Sequence, residues 1–181
     1  MTRGRFILLD RDGVINHDSD DFIKSPDEWR PIDRSLEAIA LLNAHHYQVA
    51  VISNQSGLAR GLFDQNTLAK IHAKMQALVA DKGGKISAIY FCPHGPNDNC
   101  RCRKPKPGML EAFARDFSVA LKDTVLIGDS IVDIQAAQAA GAQPVLVKTG
   151  KGSQTLIHHP KLTIPYFDDL YDAANYLISS R

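Results

Sequence analysis

The sequence predicts an α/β protein built on a doubly wound parallel sheet, and three observations predict it. Short apolar, β-rich runs alternate with segments of helical periodicity along the chain, and that alternation closes into a parallel sheet with helices on both faces. Three of the apolar runs end at once in polar turns: Asp10-Arg11-Asp12-Gly13, Ser53-Asn54-Gln55-Ser56-Gly57 and Gly128-Asp129-Ser130. Such sheets bind ligands beyond the carboxyl ends of their strands, so the three turns are expected to meet. A chain of 181 residues, 44% hydrophobic and 23% charged, suits one domain, 1–181, with a single core.

The elements follow in order. Residues 5–10 read as a buried strand. Residues 33–46 read as a helix, with Leu36, Ile39, Ala40 and Leu42 or Asn43 at helical spacing. A second strand spans 47–52. A long helix over 64–82 carries the stripe Leu68, Ile71, Met75, Leu78 and Val79, and Gly83-Gly84 ends it. The third strand is 86–91. Residues 93–105, rich in Pro, Gly, Asn and Asp, read as an irregular loop. Pro107 opens a helix that runs to about Asp116. A fourth strand (124–127) leads into an Ala-rich helix (131–140) stopped by Gly141. A fifth strand (144–147), a short sixth (164–167) and a closing helix (170–179) complete the chain.

Composition excludes several classes. A net charge of +1 speaks against a nucleic-acid partner. The apolar run 6–9 is far too short for a signal peptide or a spanning helix, so no membrane association is expected. Cys92, Cys100 and Cys102 are the only cysteines, and an odd, clustered set does not form a secreted disulfide framework. A monomer in a reducing cytoplasm is the expectation.

The turns carry the chemistry. In an extended chain Asp10 and Asp12 point the same way, and two carboxylates aimed together call for a cation between them. Magnesium suits that place, being hard and oxygen-liking. Asp129 supplies a further carboxylate, and Asp133 shares its helix face. Asp-x-Asp-Gly alone is equally well explained by a plain turn; its strand context and the distant Gly128-Asp129-x-x-x-Asp133 favour the metal. Ser53 and Asn54 cap the second strand, where a hydroxyl and backbone amides suit phosphate oxygens. Lys104 lies between Arg103 and Pro105, and the prolines at 105 and 107 restrict its backbone. Cys92-x-His94 and Cys100-x-Cys102 offer four soft ligands, the number for a closed tetrahedral zinc site that braces loop 92–102.

Four motifs, Leu-Leu-Asp10-Arg-Asp12-Gly, Ile-Ser53-Asn54-Gln55, Arg103-Lys104-Pro105 and Ile-Gly128-Asp129-Ser-x-x-Asp133, give the chain a resemblance to the haloacid dehalogenase superfamily. The resemblance implies a Rossmann-like sheet with minimal cap and a magnesium-dependent phosphatase. Asp10 would be the nucleophile and Asp12 the general acid and base, with Ser53 and Lys104 stabilising the phosphoryl group. Asp10, Asp129 and the backbone carbonyl of Asp12 would hold magnesium. The zinc loop and Ser-Asn-Gln-Ser-Gly-x-Ala-Arg60-Gly61 are similar to the heptose bisphosphate phosphatase group of that superfamily. That likeness implies a small phosphorylated sugar as substrate, with the 7-phosphate removed from D-glycero-D-manno-heptose 1,7-bisphosphate. It implies substrate contacts from Arg103, from Asn54, Gln55 and Ser56, and from Asp18, Ser19, Asp20 and Asp21. The group's Gly-Tyr pair in the last segment is absent, and Ser130 stands where members can carry lysine. Histidinol-phosphate phosphatase is the alternative, and a non-catalytic zinc-braced binding module the second.

Other residues are read as structural. His45, His46 and His72 are assigned to surface or packing, His158 and His159 to a loop, and Trp29 to packing under a loop. His17 is near enough to line the site. Thr149-Gly150-Lys151-Gly152 lacks the spacing of a nucleotide loop.

Overall fold

Alternate residues of the strands face two separate cores, and this is what winds the chain on both sides of its sheet. The computed structural model describes residues 5–180, so the ends of the predicted domain 1–181 lie outside the described residues. The strands are β1 (Arg5–Leu9), β2 (Tyr47–Asn54), β3 (Ile86–Cys92), β4 (Val125–Gly128), β5 (Gln143–Val147) and β6 (Tyr166–Phe167). The helices are α1 (Ser35–Ala44), α2 (Gln65–Asp81), α3 (Gly108–Phe117), α4 (Ile131–Ala140), α5 (Gly152–His158) and α6 (Leu170–Ser179). The sheet order is β3-β2-β1-β4-β5-β6 and every pair is parallel. Ile7, Leu9, Val49, Val51, Val125 and Ile127 pack with α1, α2 and α6 on one face. Phe6, Leu8, Ala50, Ile52 and Leu126 pack with α3 and α4 on the other. The period of two that separates these sets is the pleat itself.

The chain reverses direction across β1, since β2 and β3 lie to one side and β4 and β5 to the other. At such a switch point the loops after adjacent strands diverge and leave a crevice. Between β1 and α1 the chain forms only isolated bridges, Asp12 with Asn16 and Asn16 with Pro31. Val14, Ile15 and Trp29 are fully buried beneath that segment, which packs onto the sheet rather than forming a separate lid.

Several boundaries differ from the sequence expectation. Strand β2 runs on through Ser53 and Asn54, which pair with Phe91 and Cys92, so both belong to the strand and not to the turn. Helix α1 ends at Ala44, and His46 sits beyond it at φ +65°. Pro107 precedes α3 as its cap rather than opening it. Helix α5 was not expected: it is 7 residues long and starts Gly-Ser-Gln-Thr, too short and polar for a periodic signal. His158 is its last residue and His159 its cap, not a loop pair. Among the described residues no helix is long and apolar enough to cross a membrane.

Candidate active site

The ends of β1 and β4, the first turn of α4 and the loop after β3 deliver four charged side chains to one point. The Asp10 N–H donates to the Ile127 carbonyl at 2.9 Å, locking the end of β1 to β4. Lys104 is buried, and its Nζ donates to the Ile52 carbonyl at 2.7 Å. The same ammonium lies 2.9 Å from Asp10 Oδ1 and 2.6 Å from Asp133 Oδ1. Ser130 donates its N–H and hydroxyl to Asp133 Oδ2, at 3.1 and 2.6 Å, so α4 starts with that carboxylate held. Asp133 therefore secures Lys104, where the sequence had suggested a reach toward metal. Asn54 and Lys104 exchange two hydrogen bonds of 3.1 Å, side-chain amide against backbone. The lysine whose backbone the flanking prolines were expected to restrict is thus fixed from three elements.

Asp129 is placed by close backbone packing. Its Oδ2 accepts the Lys151 N–H at 2.8 Å. A Cβ on Gly13 would lie 2.0 Å from that oxygen, and one on Gly150 2.2 Å from it. Both glycines have positive φ, +83° and +56°, so both the fold of the turn and the space beside Asp129 demand glycine.

Carboxylate oxygens of Asp10, Asp129 and Asp133 all lie within 4.8 Å of one another. Three acids share one lysine, and the cluster is short of positive charge. Burial, then Asp133, raises the Asp10 carboxyl well above its usual range despite Lys104. Burial, then Asp133, pushes Asp129 up to about 7. Burial opposes the charge of Lys104, but Asp10 and Asp133 outweigh it and raise the ammonium above its ordinary value. Acids forced toward the neutral form by one another, in a cradle walled by two glycines, fit an oxygen-liking divalent ion.

Asp12 departs from the expected arrangement. Its carboxylate does not join the cluster with Asp10. It accepts from Arg11 Nε at 3.1 Å and Nη2 at 2.9 Å, from Asn16 Nδ2 at 2.9 Å and from Gln55 Nε2 at 2.9 Å. Burial alone would raise its pKa, but the Arg11 charge and the hydrogen bonds of Asn16, Arg11 and Gln55 hold it below the usual value. Strand alternation put the two aspartates on one side correctly; hydrogen-bond donors then turned the second carboxylate away.

A cavity opens over these groups. Its floor includes Asp10, Asp12, Lys104, Asp129 and Asp133, and Asp18, Ser19 and Asp20 form one wall. Asn54, Gln55, Ser130 and Lys151 also line it. Asp21, Ser53, Ser56 and Arg103 are not among the lining residues. Ser53 is fully buried below the cavity, its hydroxyl accepting from Gln55 Nε2 at 2.8 Å. Arg103 donates to the His94 carbonyl at 3.2 Å and lines a neighbouring hollow that shares Lys104. His17 lines an adjoining cleft with Asp18 and Lys151.

Sequence reasoning missed Arg11, Asn16 and Lys151. Lys151 sits in the segment read as an incomplete phosphate loop, and its Nζ is 3.3 Å from Asp18 Oδ2. His72, assigned to packing away from the strand ends, is packed, yet its Nε2 lies 3.3 Å from Arg11 Nη1. Burial, then the Arg11 charge, lowers its pKa to about 4 and keeps the ring neutral.

The loop after β3 brings Cys92, His94, Cys100 and Cys102 together, with ligand atoms within 4.8 Å of one another. Cys92 Sγ is 3.6 Å from Cys100 Sγ and 3.1 Å from Cys102 Sγ, and His94 Nδ1 is 3.5 and 3.4 Å from Cys92 and Cys102. A tetrahedron with Zn–S bonds of about 2.3 Å has sulfur–sulfur edges of about 3.8 Å, close to these spacings. Burial, then Cys102, pushes the Cys92 thiol up to about 12, so this set lacks the charge that three thiolates need.

Comparison with known proteins agrees with this geometry. Residues 101–173 match the HAD-hydrolase-like family model. The chain is 52% identical over 174 residues to D-glycero-β-D-manno-heptose-1,7-bisphosphate 7-phosphatase of Pseudomonas putida, covering 96% of this chain and 99% of the relative. Its identity to the enzyme of the same name from Pseudomonas aeruginosa is 53%, over 95% of this chain and 97% of the relative. The crystal structure of D,D-heptose 1,7-bisphosphate phosphatase from B. bronchiseptica, complexed with magnesium and phosphate, superposes with a TM-score of 0.95 at 49% identity, covering 98% of this chain and 99% of that one. The chain belongs to the haloacid dehalogenase-like superfamily, in the branch of the heptose 1,7-bisphosphate phosphatases.

Proposed function

We propose that this protein removes the 7-phosphate of D-glycero-β-D-manno-heptose 1,7-bisphosphate through an aspartyl-phosphate on Asp10. The observation that carries the reading is the meeting of Asp10, Lys104, Asp129 and Asp133 in one cavity, in a chain this similar to enzymes of that name. Asp10 Oδ1 is engaged by Lys104 Nζ and by the Arg11 N–H at 2.8 Å, which leaves Oδ2 to attack phosphorus. The phosphorus–ester oxygen bond breaks, its electron pair goes to the sugar oxygen, and a proton from Asp12 completes the hydroxyl. Water then gives its proton to Asp12 and attacks the aspartyl-phosphate. The acyl oxygen–phosphorus bond breaks, and inorganic phosphate and the Asp10 carboxylate result.

Lys104 faces the charge that spreads over the transferring oxygens. Ser53 lies below the cavity and accepts from Gln55 Nε2, so its part is to hold the Gln55 amide at the site. Asp10, Asp129 and the Asp12 backbone carbonyl would hold Mg²⁺, which would supply the positive charge that the acidic cluster lacks. Zn²⁺ on Cys92, His94, Cys100 and Cys102 is structural and holds the loop that carries Arg103 and Lys104. Asp18, Ser19 and Asp20 accept from sugar hydroxyls, with Arg103 and Gln55 flanking. The Asn54 amide is already committed to the Lys104 backbone, so its part is to place that lysine.

The test is a substrate panel with Mg²⁺. Both anomers of the heptose bisphosphate are compared with histidinol phosphate by kcat/KM. The β anomer is expected to lead; faster turnover of histidinol phosphate overturns the substrate, and no phosphate release from any ester overturns the enzyme.

A further inference from the structure

Arg11 is a buried cation that the mechanism above leaves without a task. Its side chain is 0% exposed, and it does not line the cavity, so it touches no substrate. A guanidinium taken out of water needs charge and hydrogen bonds to compensate. Among the described residues its one carboxylate partner is Asp12. Its remaining contacts are neutral: Gln55 Oε1 from the end of β2, and His72 Nε2 from α2, each at 3.3 Å. The fork is therefore fixed from two elements before it meets Asp12.

That fork decides how Asp12 is presented. Oδ1 accepts from Arg11 Nε, Arg11 Nη2 and Asn16 Nδ2, three donors on one oxygen. Oδ2 accepts from Arg11 Nη2 at 3.0 Å and Gln55 Nε2 at 2.9 Å. Oδ2 has one donor fewer than Oδ1 and shares its Arg11 Nη2 with it, so the proton to be transferred is placed on Oδ2. None of the donors that set this orientation belongs to the Lys104 cluster. The aim of the acid is thus set separately from the grip on the phosphoryl group.

We infer that Arg11 is a positioning residue for proton transfer, holding the Asp12 carboxyl toward the leaving oxygen of the ester. As the phosphorus–oxygen bond breaks and its electron pair settles on the sugar oxygen, the proton passes from Asp12 Oδ2 to that oxygen. The carboxylate left behind then faces the Arg11 charge, a hydrogen bond that strengthens as the transfer proceeds. The inference rests on the acid–base assignment of Asp12 in the proposed function.

Leaving-group dependence tests it. A sugar phosphate expels an alkoxide that must be protonated, whereas p-nitrophenyl phosphate expels a phenolate that is stable without a proton. With Mg²⁺ and the zinc-loaded enzyme, kcat/KM reports the first transfer for both. Arg11→Lys and Arg11→Met are expected to lose about 10²-fold or more on the heptose bisphosphate. Their losses on p-nitrophenyl phosphate are expected to be at least about tenfold smaller, with lysine retaining more than methionine. Asp12→Asn serves as the benchmark for the same selectivity. Circular dichroism and zinc content establish that each variant is folded; should Arg11→Met not fold, Arg11→Lys and Asn16→Ser carry the comparison. Equal losses on both substrates, with Asp12→Asn still selective, overturn the inference and leave the functional reading standing. An unselective Asp12→Asn overturns the acid assignment and this inference with it, and a wild type without turnover overturns the phosphatase reading itself.

Discussion

Asp10 and Asp12 are the same residue type two positions apart, and their surroundings give them different chemistry. Asp10 meets one lysine and two further carboxylates, so it needs a metal ion to be ionised. Asp12 meets an arginine and two amides, which fix its carboxyl by hydrogen bonds and not through a metal ion. Asp10→Asn is expected to lower kcat by about 10³-fold or more while the far-UV spectrum is kept, because the amide is isosteric but a poor nucleophile. Residual turnover near wild type in steady-state assays would contradict a covalent intermediate. Gly13→Ala carries two penalties at once, a φ of +83° and a methyl carbon 2.0 Å from Asp129 Oδ2. It is expected to cost about 2 kcal/mol in a urea melt and to weaken Mg²⁺ binding by calorimetry. Neither environment is legible in the sequence. A residue two along from a strand-end aspartate is foreseeable, but the rotamer that Arg11, Asn16 and Gln55 impose on it comes from two segments brought together, the turn after β1 and the end of β2.

At the scale of elements, the strands were legible as short continuous apolar runs, buried on both faces of the sheet, and the long helices because one face of each is apolar at a regular period. Helix α2 shows this: Leu68, Ile71, Met75 and Val79 are buried as the stripe required, and Asp64 caps it by accepting the Thr67 N–H at 2.7 Å. Helix α5 was illegible because 7 residues contain too few turns for a period to emerge. The loop after β3 has no period at all, yet the meeting of Cys92, His94, Cys100 and Cys102 was foreseen, since closely spaced cysteines and a histidine have few other uses in so short a stretch. Its order rests on the zinc proposed there, because it has little core of its own. Cys100→Ser is expected to lower zinc content to well below one ion per chain, measured by atomic absorption. Chelation is expected to raise amide exchange in residues 92–106 first, while β1 and β4 stay protected. Simultaneous loss of protection in the loop and the sheet would show that zinc supports the whole fold instead.

For the whole molecule, the sheet reverses its winding at β1, and Asp10, Lys104, Asp129 and Asp133 gather where the loops part, with the loop segment 13–34 beside them. The acidic cluster there makes stability depend on metal and pH together. Asp129 has its carboxyl raised to about 7 by burial and Asp133, so its contribution is fully present below the unfolded value near 3.8 and is lost as pH rises through about 7. Asp12, held low by Arg11, loses its contribution only as pH falls below that unfolded value, outside this window. Metal-free protein is therefore expected to melt at a higher temperature at pH 5 than at pH 8. Mg²⁺ at a hundredfold excess over its Kd is expected to raise Tm by about 5–10 °C at pH 8 and by less at pH 5. A Mg²⁺ effect that is larger at pH 5, read by scanning calorimetry, would refute this coupling. The sequence by itself determined the winding, the strand-end turns, the four motifs and the clustering of three cysteines with His94, because periodicity, turn chemistry and residue spacing are local properties of a chain. The tertiary structure alone decided that Asp12 turns to Arg11, that Asp133 holds Lys104, that Ser53 lies under the cavity and that Lys151 reaches its wall. Those outcomes depend on which donors and charges arrive from distant segments, and no local pattern contains the distances between them.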